Sequence, residues 1–110
     1  MELSVLERLV LLNLLPQEGN FTTLKLLRKL REELSFNEEE HKTLSLKQDG
    51  DQVRWNEEAK IVKDVKVEGK MLALVVEILT KLDKEDKLRG EHFTLYEKFV
   101  EVKEDKEPLN

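Results

Sequence analysis

Two leucine-rich runs near the start of the chain are separated by Leu15-Pro16-Gln17-Glu18-Gly19-Asn20. Proline has no amide hydrogen and its ring clashes with the preceding turn, so no helix continues through Pro16. Gly19-Asn20 is turn chemistry. The chain must reverse here, which predicts a helix, a tight connection and a second helix packed back on the first. The first helix is expected from Ser4 to Leu15, with Ser4 as N-cap and Glu7 at the capping-box position. Val5, Leu6, Leu9, Val10, Leu12 and Leu14 cover most of its circumference, and Leu11 and Leu15 fall on the side that carries Glu7 and Arg8. A helix apolar almost all round is either buried on several sides or part of an interface. Leu11 and Leu15 are therefore the candidate protein-interface residues, should the fold leave them uncovered.

The second helix is expected from Thr22 or Thr23 to Leu34. Leu26, Leu27, Leu30 and Leu34 form its apolar stripe, and Lys25, Arg28, Lys29 and Glu32 lie opposite with Arg31 on the flank. Asn37 then caps a short helical turn whose first residues, Glu38, Glu39 and Glu40, suit the positive end of a helix dipole. From Leu44 the period changes to two. Leu44, Leu46, Val53 and Trp55 alternate with polar residues around Asp49-Gly50, the chemistry of a two-residue hairpin loop. With Asp49-Gly50 at the tip, Leu46 faces Val53, Leu44 faces Trp55, and all four share one face. Asp64-Val65-Lys66-Val67-Glu68 alternates too and predicts a third strand.

Helical spacing returns after Gly69, in Met71, Leu72, Leu74, Val75, Ile78, Leu79 and Leu82. A last helix follows Gly90, anchored by Phe93, Tyr96, Phe99 and Val100. The expected fold class is α+β: an N-terminal helical hairpin, a small antiparallel sheet (hairpin 44–55 plus strand 64–68) and two C-terminal helices. One domain is expected over residues 1–101, with a charged tail over 102–110.

Composition narrows the function classes. The chain has no cysteine, which excludes disulfides and thiolate-bound zinc and fits a reducing compartment. Glu2 and Glu7 stand where a signal peptide carries basic residues, so none is expected. The longest apolar run, Leu9 to Leu12, is far short of the ~20 residues of a membrane span. Net charge is −5, and the acidic excess falls after residue 36. A basic field for nucleic acid is missing.

The order of signatures carries a resemblance. Leu14-Leu15-Pro16-Gln17-Glu18-Gly19, Thr23-Leu24-Lys25, Leu34-Ser35-Phe36-Asn37-Glu38-Glu39-Glu40, Arg54-Trp55-Asn56 and Leu95-Tyr96-Glu97-Lys98-Phe99 together resemble small proteins encoded by tailed phages and prophages. That group brings no assigned activity, so no functional residue is carried over. The resemblance implies a setting inside a bacterial host cell, in the cytoplasm.

Three constellations need weighing. Glu38 and His41 form a Glu-x-x-His pair, but a di-metal carboxylate site needs a second such pair and two further glutamates. Asp83, Glu85, Asp86 and Glu91 suggest a calcium loop, yet Leu88 stands where its glycine belongs and Lys87 where an acid belongs. Lys25, Arg28, Lys29 and Arg31, followed by a hairpin, match the order of a winged helix, which makes them the candidate DNA-binding residues. Glu32, Glu33 and Glu38 to Glu40 oppose that field. No glycine-framed nucleophile or phosphate-cradling loop is present. No catalytic, cofactor-binding or metal residue is expected. The leading expectation is a non-enzymatic interaction protein that binds a protein partner or itself, as a homodimer, through apolar surface on the first helix and acidic surface on the C-terminal half. The alternative is a winged-helix-like DNA-binding regulator.

Overall fold

A computed structural model describes residues 1–50 and 52–101; the expected tail, 102–110, lies outside the described residues. Three helices start where a short polar side chain accepts an orphan amide. Ser4 Oγ accepts from the Glu7 N–H at 3.2 Å, and Glu7 Oε1 accepts from the Ser4 N–H at 2.9 Å. This reciprocal box opens α1 (Val5–Leu14) directly after a short strand, β1 (Glu2–Ser4). Asn20 Oδ1 accepts from the Thr23 N–H at 2.8 Å and starts α2 (Phe21–Leu34), slightly earlier than spacing alone predicts. Asn37 and Glu40 form a second reciprocal box at the start of α3 (Glu38–Leu44).

The hairpin register differs from the expected one. Strands β2 (Lys47–Asp49) and β3 (Gln52–Arg54) pair Lys47 with Arg54, Gln48 with Val53 and Asp49 with Gln52. Leu46 does not face Val53, and Leu44 does not face Trp55. Leu44 instead ends α3, fully buried, and Ser45 closes that helix in the left-handed region at φ 52°. The strand therefore starts later, and Gly50 becomes the first loop residue rather than the second. Its φ of 63° is what a primed hairpin turn requires at that position. Because each strand shifts by one residue, parity is kept: Leu46, Val53 and Trp55 stay on one side by alternation. They are half-buried rather than core.

The expected strand over 64–68 is also corrected. The strand here is β4 (Val62–Asp64), and its partner is β1, with Glu2 opposite Asp64, Leu3 opposite Lys63 and Ser4 opposite Val62. Residues 65–68 are irregular. Their alternation sends Val65 and Val67 into the helical core, and Val65 still exchanges backbone hydrogen bonds with Met1. The result is two separate two-stranded antiparallel ribbons rather than one sheet. After Gly69 come α4 (Lys70–Lys84), a 3₁₀ turn over Gly90–His92 and α5 (Phe93–Tyr96), which widens to π-helical spacing over Glu97–Glu101. Among the described residues, five α-helices and two small ribbons make this an α+β fold.

Helix α1 contacts α2 and α5, and α2 contacts α4. Leu3, Val10, Leu11, Leu15, Leu27, Leu30, Leu34, Val75, Leu79, Leu95 and Phe99 fill the space between them. Arg8 lies among them with no solvent exposure. Its Nε donates to the Leu34 carbonyl at 3.1 Å, and Nη2 donates to the Ser35 carbonyl. Nη1 and Nη2 grip the Glu40 carboxylate at 2.8 and 3.1 Å. The guanidinium lies 3.9 Å from the centre of the Phe36 ring. One side chain of α1 thus satisfies carbonyls at the end of α2 and pairs with a glutamate in the first turn of α3.

Two stability outcomes follow. Gly50→Val forces a β-branched residue into the left-handed region, and urea titration should show a loss of about 1–2 kcal/mol. Glu40→Ala leaves the Arg8 charge buried without its counter-ion and should cost about 3–5 kcal/mol, whereas the double change Arg8→Met, Glu40→Leu should recover most of that loss. Equal loss in the single and double variants would contradict the buried-charge account.

Candidate interaction surface

The residues singled out in the sequence go to different places. Leu11 and Leu15 are 0 % and 5 % exposed, inside the core, so the expected interface on that side of α1 is corrected. The physical reason is that Glu7 and Arg8, which made that side look outward, are buried themselves by partners from distant elements. Of the basic residues of α2, Lys25, Arg28 and Lys29 are exposed and Arg31 is half-buried. Arg31 Nη2 donates to the Pro16 carbonyl at 2.8 Å and fastens the connection between α1 and α2. Exposed Arg28 faces Glu32 at 4.0 Å, and Lys29 shares a groove with Glu32, Glu33 and Glu68. Lys25 sits 5.5 Å from the Phe21 ring. The helix that precedes the hairpin, α3, carries Glu38, Glu39 and Glu40 in its first turn. That is the wrong sign for a helix entering a groove lined by phosphates.

His41 meets Phe36 edge-on at 6.3 Å. Among the described residues no group of three histidine, aspartate or glutamate side chains is placed to hold a metal ion. His92, nearly buried, accepts the Arg89 N–H on Nδ1 at 3.0 Å and so closes the 3₁₀ turn. It borders a cleft of about 680 Å³ rimmed by Asp86, Lys87, Arg89 and Glu91, where the signs of charge balance. No helix among the described residues is long and apolar enough to cross a membrane.

The surface with a distinct character lies where β1 passes into α1 beside the start of β4. A groove of about 340 Å³ is lined there by Val5, Leu6, Trp55, Ala59, Ile61 and Val62, with Glu57 and Lys60 at its border. Leu6 is 47 % and Val62 55 % exposed, high for aliphatic side chains. Sequence reading missed this surface because β1 and β4 are too short to show a period. The exposed position of Leu6 in the first turn of α1 was concealed by that helix's near-continuous apolar composition.

The β1–β4 ribbon has two edges of different kinds. Met1 and Val65 exchange backbone hydrogen bonds, at 2.8 and 3.1 Å, so the bonded pairs alternate to Leu3 and Lys63. The amides and carbonyls of Glu2 and Ser4 then point away from β4, and those of Val62 and Asp64 point away from β1. On the β1 side the Ser4 N–H and the Glu2 carbonyl are taken. Glu7 receives the Ser4 N–H, and Lys98 Nζ donates to the Glu2 carbonyl at 2.8 Å and to Glu7 Oε1 at 2.7 Å. On the β4 side no described group meets them. Lys63, on the opposite face of β4, donates to the Glu33 carbonyl at 2.7 Å.

Burial raises the Glu7 pKa, but the hydrogen bonds from Lys98, Ser4 and Thr94 outweigh it and hold the carboxyl below its ordinary value. The Arg8 guanidinium, against a smaller opposing effect of burial, lowers that of Glu40. Compared with known protein families, curated proteins and solved structures, the chain matches none.

These lowered carboxylates make stability depend on pH. Between the native pKa and the unfolded value near 4.3 the unfolded chain binds more protons, so stability rises with pH through that window. It is complete above the unfolded value and is lost as pH falls through the native one. Urea midpoints measured from about pH 2 to pH 6 should show this slope, and Glu7→Gln should flatten it. An unchanged slope in Glu7→Gln would remove Glu7 from the account.

Proposed function

We propose that the chain is a non-enzymatic interaction protein that binds a protein partner, itself or another, through the surface formed by Leu6, Trp55, Ile61, Val62 and the outer edge of β4. The resemblance to small phage and prophage proteins sets this in a bacterial host cell. The carrying observation is the conjunction of exposed aliphatic side chains with a strand edge that no described residue partners. Scattered apolar residues on a surface mean little, but an apolar groove beside open backbone donors and acceptors offers burial and directed hydrogen bonds together. The cleft at His92 is also partly apolar, through Leu14, Leu82 and Leu88, but no strand edge borders it.

Leu6→Glu tests the reading without threatening the fold, because a carboxylate in the first turn of α1 suits the helix dipole. The immobilised parent should retain a specific protein from bacterial lysate, or a tagged second copy of itself, and the variant should not. Retention of the same species by both proteins would reject this surface. Retention of nothing by either protein, with a monomer in sedimentation, would reject the interaction reading altogether.

A further inference from the structure

We propose that the cleft at His92 binds a small zwitterion with an aliphatic body, an α-amino acid of the leucine type. This site is separate from the surface beside β4 and does not depend on the reading of that surface.

His92 is only 5 % exposed. Its Nδ1 accepts the Arg89 N–H at 3.0 Å, so the neutral ring carries its proton on Nε2. That N–H makes no hydrogen bond to a described residue. Glu91 Oε2 stands 3.7 Å away, too far for one. Among the described residues no sealed side-chain nitrogen lacks a partner, so Nε2 opens to the cleft that the ring borders. Burial fixes the ring, and the donor is held in one direction for whatever enters.

Two charges at the mouth are also without partners. Neither the Arg89 guanidinium nor the Asp86 carboxylate has an ion pair among the described residues, whereas Lys87 lies 3.7 Å from Glu85. Asp86 is unfavourable on local grounds. The Lys87 N–H donates to the Leu82 carbonyl at 2.8 Å and the Asp86 N–H to the Asp83 carbonyl at 3.1 Å, which closes the end of α4 as a Schellman motif. Asp86 holds the left-handed position of that motif, at φ 57°, where glycine is favoured. A carboxylate at the carbonyl end of a helix also has the wrong sign for its dipole. Neither backbone nor dipole accounts for this aspartate, and a charge offered to the cleft does.

The chemistry of the ligand follows from these groups. The guanidinium of Arg89 and the N–H of His92 suit a carboxylate. A simple anion would be opposed by Asp86 and Glu91, which border the same cleft. A ligand that carries an ammonium group as well turns both acids into partners. Leu14, Leu82 and Leu88 supply an apolar wall for its body. The volume of about 680 Å³ lies within the ~300–1,000 Å³ of small-molecule sites.

The test is an amide NMR titration of the full chain with leucine. Signals of residues 86–92 should shift saturably, with a Kd of about 1 mM or below. Isocaproate, which lacks the amine, and isopentylamine, which lacks the carboxylate, should each bind at least about tenfold more weakly. Arg89→Gln should weaken leucine binding by about tenfold or more. Asp86→Gly should weaken it to a similar degree yet leave the urea midpoint unchanged or higher, because glycine suits the left-handed position. No saturable shift up to about 10 mM leucine overturns the site. So does an analogue with one charge that binds as tightly as leucine, or binding indifferent to Arg89→Gln. An Asp86→Gly variant that binds normally but is less stable would assign Asp86 to the fold and overturn the proposal too.

Discussion

A guanidinium placed among leucines is tolerated only if its donors and its charge are answered, and the arrangement around Arg8 answers both. Leu34 and Ser35 offer carbonyls that the end of α2 leaves without intrahelical partners, and Glu40 offers a bidentate carboxylate. The carbonyl end of a helix also carries partial negative charge, which favours a cation there. Phe36 covers one face of the group. The angle between α2 and α3 is therefore tied to α1, because all three must converge on one rigid fork. Glu40 is fixed in turn by its capping box with Asn37, so the start of α3 and the pairing of Arg8 are one structure.

Glu7, the neighbour of Arg8, does the corresponding work on the other side of α1. It caps its own helix through Ser4 and receives Lys98 from the C-terminal helical segment, which also reaches the Glu2 carbonyl. The first turns of α1 therefore hold both the start and the end of the described chain. They also close one edge of the β1–β4 ribbon. Among the described residues no comparable charged pair reaches the other edge, beside Leu6 and Val62. The asymmetry of the ribbon, and with it the position of the proposed interaction surface, follows from where the α1 charges are paired.

The local features were legible. Pro16, Ser4 with Glu7, Asn37, Gly69 and the leucine spacing of α2 and α4 act within about four residues, the reach of a cap or one helical turn. Those signals gave the helices, their order and the α+β class. The hairpin was legible in place but not in register, because Leu44 suits the end of a helix and the start of a strand equally well. Only the burial of Leu44 as the last residue of α3 decides between them.

What the sequence could not determine was the destination of side chains whose partners are distant. Arg8 meets Glu40 across 32 positions and Glu7 meets Lys98 across 91, and neither pairing leaves a local pattern. Leu11 and Leu15 looked available because charges beside them implied solvent. The tertiary structure buried those charges in pairs, and the leucines with them. The sequence alone determined the helices, their breaks and their caps, since these depend on backbone groups a few residues apart. Tertiary packing alone decided which side of α1 is inside, which strand pairs with β4 and which edge stays open. Those outcomes depend on desolvating charges, and a charge enters the core only where a distant partner is brought to meet it.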